Sequence, residues 1–92
     1  MDLRRFITFK TVVEEGSFLR AAQKLCCTQS TVTFHIQQLE QELAIPLFEK
    51  IGRRMCLTAA GKKLLPHVYD LTKVMASIRQ AARQDDEPGG EL

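Results

Sequence analysis

Residues 17–43 read SFLRAAQKLCCTQSTVTFHIQQLEQEL, and two short amphipathic patterns meet inside them. Ser17 can cap a helix over 18–25 whose inner side carries Phe18, Ala21, Ala22 and Leu25, the 3-4 spacing of a helix with one buried face. Cys26 and Cys27 then make a tight turn. Thr28 caps a further helix in which Val32, Ile36, Leu39 and Leu43 form one narrow apolar stripe, so the opposite side faces out. A short helix, a tight turn and a one-sided helix, with small Ala22, turn residue Cys26 and β-branched Val32 in sequence, have the layout of a helix-turn-helix that reads DNA.

On the N-terminal side, Leu3, Phe6, Phe9 and Val13 recur at helical spacing between Asp2, an N-cap, and Gly16, a stop signal, which predicts a helix over 3–15. Pro46 ends the stripe that began at Val32. Leu47 to Leu57 is divided by Ile51, Gly52 and Arg53, the pattern of a small β-hairpin with a basic tip. Thr58 caps a last helix reaching about Gln84. Along it Gly61, Leu64, Val68, Leu71, Met75, Ile78 and Ala82 alternate three and four apart, a heptad seam. At 1.5 Å per residue such a helix is about 40 Å long, more than the small domain before it covers. A seam that pairs with a second copy is expected, the other option being a helix lying across its own domain. The closing DDEPGGEL is acidic and rich in Gly and Pro, as in a flexible linker.

The expected fold is therefore mainly α: a three-helix core plus a short hairpin wing over 1–57, a linker and dimerisation helix over 58–84, and a hinge over 85–92. With 92 residues and 45% hydrophobic content the core is marginal unless a partner buries more surface. No apolar run approaches the length of a membrane span, and the N-terminus lacks a signal-peptide core, so a cytoplasmic protein is expected. All 13 basic residues precede residue 85, against seven of the 11 acidic ones, leaving +6 on the first 84 residues and pointing to a polyanionic partner. Cys26, Cys27 and Cys56 form no CxxC pair and are expected to be small buried residues rather than a metal or disulfide set.

With Val32 set facing the core, Ser30, Phe34, Gln37 and Gln41 fall near the opposite pole of a helical wheel, with Thr31, Thr33 and Gln38 beside them. Gln and Thr exchange hydrogen bonds with base edges, and an apolar group such as Phe34 meets a thymine methyl. Cys26 to Leu39 contains no charged residue, hence nothing acidic to repel a phosphate, and the free N–H groups near Thr28 and Gln29 suit an anion. Affinity is expected from the periphery: Arg20 and Lys24, Lys50, Arg53 and Arg54, and Lys62 or Lys63.

Four stretches, SFLRAAQKL, TQSTVTFHIQQLEQEL, PLFEK and LTAAGKKLLP, together resemble the DNA-binding domain of the LysR-type transcriptional regulators, from Leu3 to Pro66 and along the helix beyond. The resemblance implies a winged helix-turn-helix with its third helix in the major groove of double-stranded DNA. It also implies a wing on the minor groove or backbone and a linker helix that pairs antiparallel with its mate. It further implies a two-lobed effector-binding domain after residue 92, so the small-molecule effector would bind there and no cofactor is expected in this stretch. The family's recognition-helix Gln corresponds to Gln29, its usual Pro to Ser30, its small residue to Thr31 and its Ser or Thr to Thr33. Phe34 stands where the family most often has Arg, His35 replaces a frequent Gln, and Ala44 replaces the usual Gly.

The function so implied is a bacterial regulator that binds an inverted-repeat promoter site as a homodimer, and as a tetramer when full length. Its DNA contacts are Gln29, Ser30, Thr31, Thr33, Phe34, His35, Gln38, Lys50, Arg53 and Arg54, and its dimer seam is Leu64, Val68, Leu71, Met75, Ile78 and Ala82. The alternative is a helical protein-interaction and dimerisation module without DNA specificity. An enzyme is not expected, because His35 and His67 stand with no nucleophile or carboxylate at catalytic spacing.

Overall fold

A computed structural model describes residues 2–84, and the expected hinge over 85–92 lies outside the described residues. In chain order the elements are α1 (Leu3–Glu15), α2 (Phe18–Leu25), α3 (Gln29–Leu43), β1 (Phe48–Ile51), β2 (Arg54–Leu57) and α4 (Ala59–Gln84). Each helix start follows from its cap. The Asp2 carboxylate accepts the N–H of Arg4, Ser17 Oγ that of Arg20, and Thr28 Oγ1 that of Thr31, at 3.0–3.1 Å, satisfying donors that a helix leaves free at its first turn. Gly16, at φ 73°, closes α1.

Two closures are made without glycine. Cys26 ends α2 at φ 58° and Ala44 ends α3 at φ 59°, both in the left-handed region where a Cβ is strained. Holding Cys26 in that turn leaves its side chain exposed. This corrects the expectation of three buried cysteines, since Cys27 and Cys56 are only half-buried.

The core is built by Phe6, Phe9 and Val12 of α1, Ala21 and Ala22 of α2, and Val32, Ile36 and Leu39 of α3, closed by Leu47 and Val68. Ala22 and Val32 are buried where the two helices of the helix-turn-helix meet. Phe48, at the root of the wing, has its ring centroid 5.6 Å from that of Phe9 and 5.4 Å from that of Phe18, which joins the hairpin to α1 and α2. The strands pair antiparallel from Phe48↔Leu57 to Ile51↔Arg54. A two-residue turn results, with Gly52 at φ 64° in its first position, as a hairpin of this length requires.

Thr58 fixes the start of α4: its hydroxyl accepts the N–H of Gly61 and donates to the carbonyl of Pro46 at 2.7 Å. A Cβ at Gly61 would lie 2.6 Å from the Leu47 carbonyl oxygen, so only glycine lets α4 come this close. The first half of α4 is thereby part of the domain. Val68 is 2% exposed, and Leu64, Leu65 and Leu71 pack against the core. This corrects the seam at Val68, because a side chain closed over by its own domain has no surface for a partner. The first half of the helix lies across its own domain, and farther along Val74 and Ile78 are 56% and 63% exposed.

Candidate nucleic-acid interface

The outward side of α3 is mainly uncharged and hydrogen-bonding. Gln29, Ser30, Gln37 and Gln41 are exposed, Thr31, Thr33, His35 and Gln38 half-buried, and Phe34 is 51% exposed. Two residues expected to meet DNA are partly committed elsewhere. The Thr31 hydroxyl lies 2.9 Å from Thr28 Oγ1 within the cap, and His35 Nδ1 lies 2.8 Å from Thr8 Oγ1 on α1. Thr8 Oγ1 also lies 3.1 Å from the Arg4 carbonyl oxygen, so one hydroxyl serves its own helix and His35 together. His35 is thus a strut between α3 and α1 as much as a groove residue.

The acids at the far end of α3 are engaged inward or sideways. The Glu40 carboxylate accepts the backbone N–H groups of Leu47 and Phe48. Glu42 pairs with Arg5 of α1. The first three turns of α3 contain no acidic residue, and the two carboxylates of its last turn are both engaged.

Lys50, Arg53 and Arg54 are exposed on the wing. Arg53 and Arg54 border an open groove of about 790 Å³ that also takes in Gln29 and Thr33 of α3, Phe18 and Leu19 of α2 and Met55 of β2. Four of the sequence-derived contacts, Gln29 and Thr33 on the helix and Arg53 and Arg54 on the wing, thus share one concave surface, whereas Ser30, Thr31, Phe34, His35, Gln38 and Lys50 do not line it. Lys24, expected to serve the periphery, is 3.4 Å from Glu15, and Arg20 is exposed. Sequence reasoning missed Leu19 and Met55, both exposed and apolar; their position in a groove depends on how hairpin and helices fold together.

Residues 3–62 match the sequence model of a family described as bacterial regulatory helix-turn-helix proteins of the lysR family. The chain belongs to the lysR family.

Other lysR-type proteins agree in sequence and in three dimensions. The chain is 77% identical over its full length to YfiE of Escherichia coli (strain K12), an uncharacterized HTH-type transcriptional regulator, and 39% identical to the HTH-type transcriptional regulator CzcR of Bacillus thuringiensis (strain Al Hakam). It spans 31% of the length of each. A crystal structure of the BenM DBD in complex with catB site 1 DNA superposes with a TM-score of 0.87 at 33% identity, over 95% of this chain and 97% of that one. The CbnR DBD–DNA complex superposes at 0.84 and 29%, over 95% and 100%. The winged helix-turn-helix expected from the sequence is therefore the fold of this lysR-family chain.

Proposed function

We propose that this chain is the DNA-reading module of a sequence-specific transcription regulator, with α3 laid in the major groove of duplex DNA and the β1–β2 wing on the adjoining backbone or minor groove. The observation that carries the reading is the shared surface of Gln29 and Thr33 with Arg53 and Arg54. Uncharged side chains there reach base edges while the wing arginines neutralise phosphate. Exposed Phe34 supplies an apolar contact, so DNA shape and a thymine methyl carry more of the preference at that step than hydrogen bonds do.

The outer half of α4 is read as the homodimer seam. Val74 and Ile78 are exposed, Met75 half-buried, and Ala82 is exposed one heptad after Met75. Two such helices, each about 39 Å long at 1.5 Å per residue, would set two copies of α3 on the half-sites of an inverted repeat. For the intact protein we infer a cytoplasmic regulator, tetrameric when complete, that answers to a small molecule bound outside residues 1–92. Among the described residues no helix is long and apolar enough to cross a membrane.

A mobility-shift titration with the promoter duplexes of genes neighbouring its own tests the reading. Gln29→Ala and Thr33→Ala should abolish the margin by which one duplex is preferred over random DNA. Equal binding of all duplexes by the unaltered chain would contradict the reading.

A further inference from the structure

The edge of α3 away from the wing holds a cation of its own. Arg5 of α1 places its guanidinium carbon 5.8 Å from the centroid of the Phe34 ring, and its Nη1 lies 3.4 Å from Glu42 Oε1. Phe34, Gln38 and Glu42 are four residues apart, hence stacked along one edge of the helix. Arg5 bridges the two ends of that row. Its Nε is buried and finds no acceptor among the described residues.

Three features set this cation apart from a finished salt bridge. At 3.4 Å the contact exceeds the 2.7–2.9 Å of a close charge-assisted bond. It is single rather than the two parallel bonds that a guanidinium and a carboxylate can form, so most of the five N–H donors are unspent. The Phe34 ring, 5.8 Å away, holds the guanidinium beside the exposed side of α3 by cation–π attraction. On the helical wheel Glu42 lies about 80° from Phe34 on the α1 side at 100° per residue, while Gln29 and Thr33 line the groove on the wing side. Positive charge therefore flanks the outward face of α3 on both edges, Arg53 and Arg54 on one and Arg5 on the other.

We propose that Arg5 is a phosphate contact held in reserve by Glu42. The inference rests on the reading that α3 meets duplex DNA. In the free chain the carboxylate holds the guanidinium on Phe34. When α3 enters the groove, a backbone phosphate on that wall replaces the carboxylate, and the ring keeps the fork oriented toward it. Glu42, already partly exposed, returns to water. The pair is partly open to water, the Arg5 side chain at 20% and Glu42 at 35% exposure, so solvent screens its single long contact, and Glu42 acts as a brake on affinity that operates only through Arg5.

Phosphate contacts are independent of sequence, so the probe is a fluorescent 30-base-pair duplex of random sequence, titrated with the chain by anisotropy between 50 and 200 mM salt. Arg5→Gln should weaken binding and reduce the slope of log affinity against log salt by about 0.9, the value of one phosphate contact, while Arg5→Lys should keep the slope. Glu42→Gln should tighten binding by up to about five-fold, the size of a solvent-screened pair, and should have no effect in the Arg5→Gln background. A wild-type slope in Arg5→Gln, no tightening in Glu42→Gln, or a tightening that survives without Arg5 would each overturn the proposal. A slope that falls in Arg53→Ala but not in Arg5→Gln overturns this proposal alone. Failure of the unaltered chain to bind at 50 mM salt overturns the DNA reading together with it. Glu42→Gln removes only one partly exposed contact, so its titration decides the matter even where Arg5→Gln fails to fold.

Discussion

The Glu40 carboxylate accepts the backbone N–H of Leu47 at 2.7 Å, and the same oxygen accepts that of Phe48 at 3.2 Å. One side chain from the last turns of α3 thereby fixes where the wing begins relative to that helix. Hydrogen bonds to a charged group contribute about 1.5–3 kcal/mol. Glu40→Ala should lower the unfolding free energy by about 2 kcal/mol in a urea titration, and Glu40→Gln, which keeps one acceptor oxygen, by less. Equal losses in the two variants would show that acceptance by the side chain is not what holds the wing.

Ala44 closes α3 at φ 59°, ψ 32°, a conformation that costs an L-residue about 1 kcal/mol relative to glycine. Ala44→Gly should raise the urea midpoint. Gly16 gives the opposite control: it sits at φ 73° with nothing within 4 Å of where a Cβ would stand, so Gly16→Ala should lower stability by about 1 kcal/mol through backbone strain alone. Changes of the same sign in both variants would contradict the assignment of the effect to φ.

The two halves of α4 should respond differently to the same substitution. Val68→Asp puts an unpaired carboxylate into the core, should cost about 3 kcal/mol or more, and should be seen as loss of the folded circular dichroism signal. Ile78→Asp leaves the domain folded but should weaken self-association at least about ten-fold in sedimentation equilibrium, since a buried Ile contributes about 1.5–3 kcal/mol. A dimer unchanged by Ile78→Asp would show that the seam is misplaced.

Tyr69 ties α4 to α1 by donating its hydroxyl to Glu14 at 2.9 Å. That hydrogen bond, then desolvation and the carboxylate charge, raises the phenol above its ordinary pKa of 10.0. The bond favours the neutral phenol in the folded state, so its stabilisation is complete below about pH 10 and is lost as pH rises through the folded value. Tyr69 is the only tyrosine and the chain lacks tryptophan, so an ultraviolet titration reads it directly. The midpoint should lie above 10.0 and fall in Glu14→Gln; the same midpoint in both would refute the coupling.

The helices, their caps and the hairpin were legible because each is written locally: Asp2, Ser17, Thr28 and Thr58 as caps, Gly52 as the turn, and the Val32–Ile36–Leu39 stripe as the buried side. The division of α4 was not. A heptad describes which side chains share an edge, not what covers them, and Val68 is covered by its own domain because Gly61 and Thr58 draw the helix onto Leu47 and Pro46. Within the interface, the wheel separates Phe34 and Gln37 from the core. It cannot show that His35 is turned to Thr8 or that Arg5 reaches Phe34, since both pairings join residues 27 and 29 positions apart. Cys26 was misjudged because its exposure follows from a left-handed turn that no neighbouring glycine announces.

Whether the outward side of α3 reads DNA sequence can be measured by selecting duplexes from a randomised pool with the unaltered chain and with Gln29→Ala. The unaltered chain should enrich two half-sites related as an inverted repeat, and Gln29→Ala should lose the preference at one position in each half-site. A pool that stays random after repeated rounds, or a preference that Gln29→Ala leaves intact at every position, would contradict sequence reading by α3.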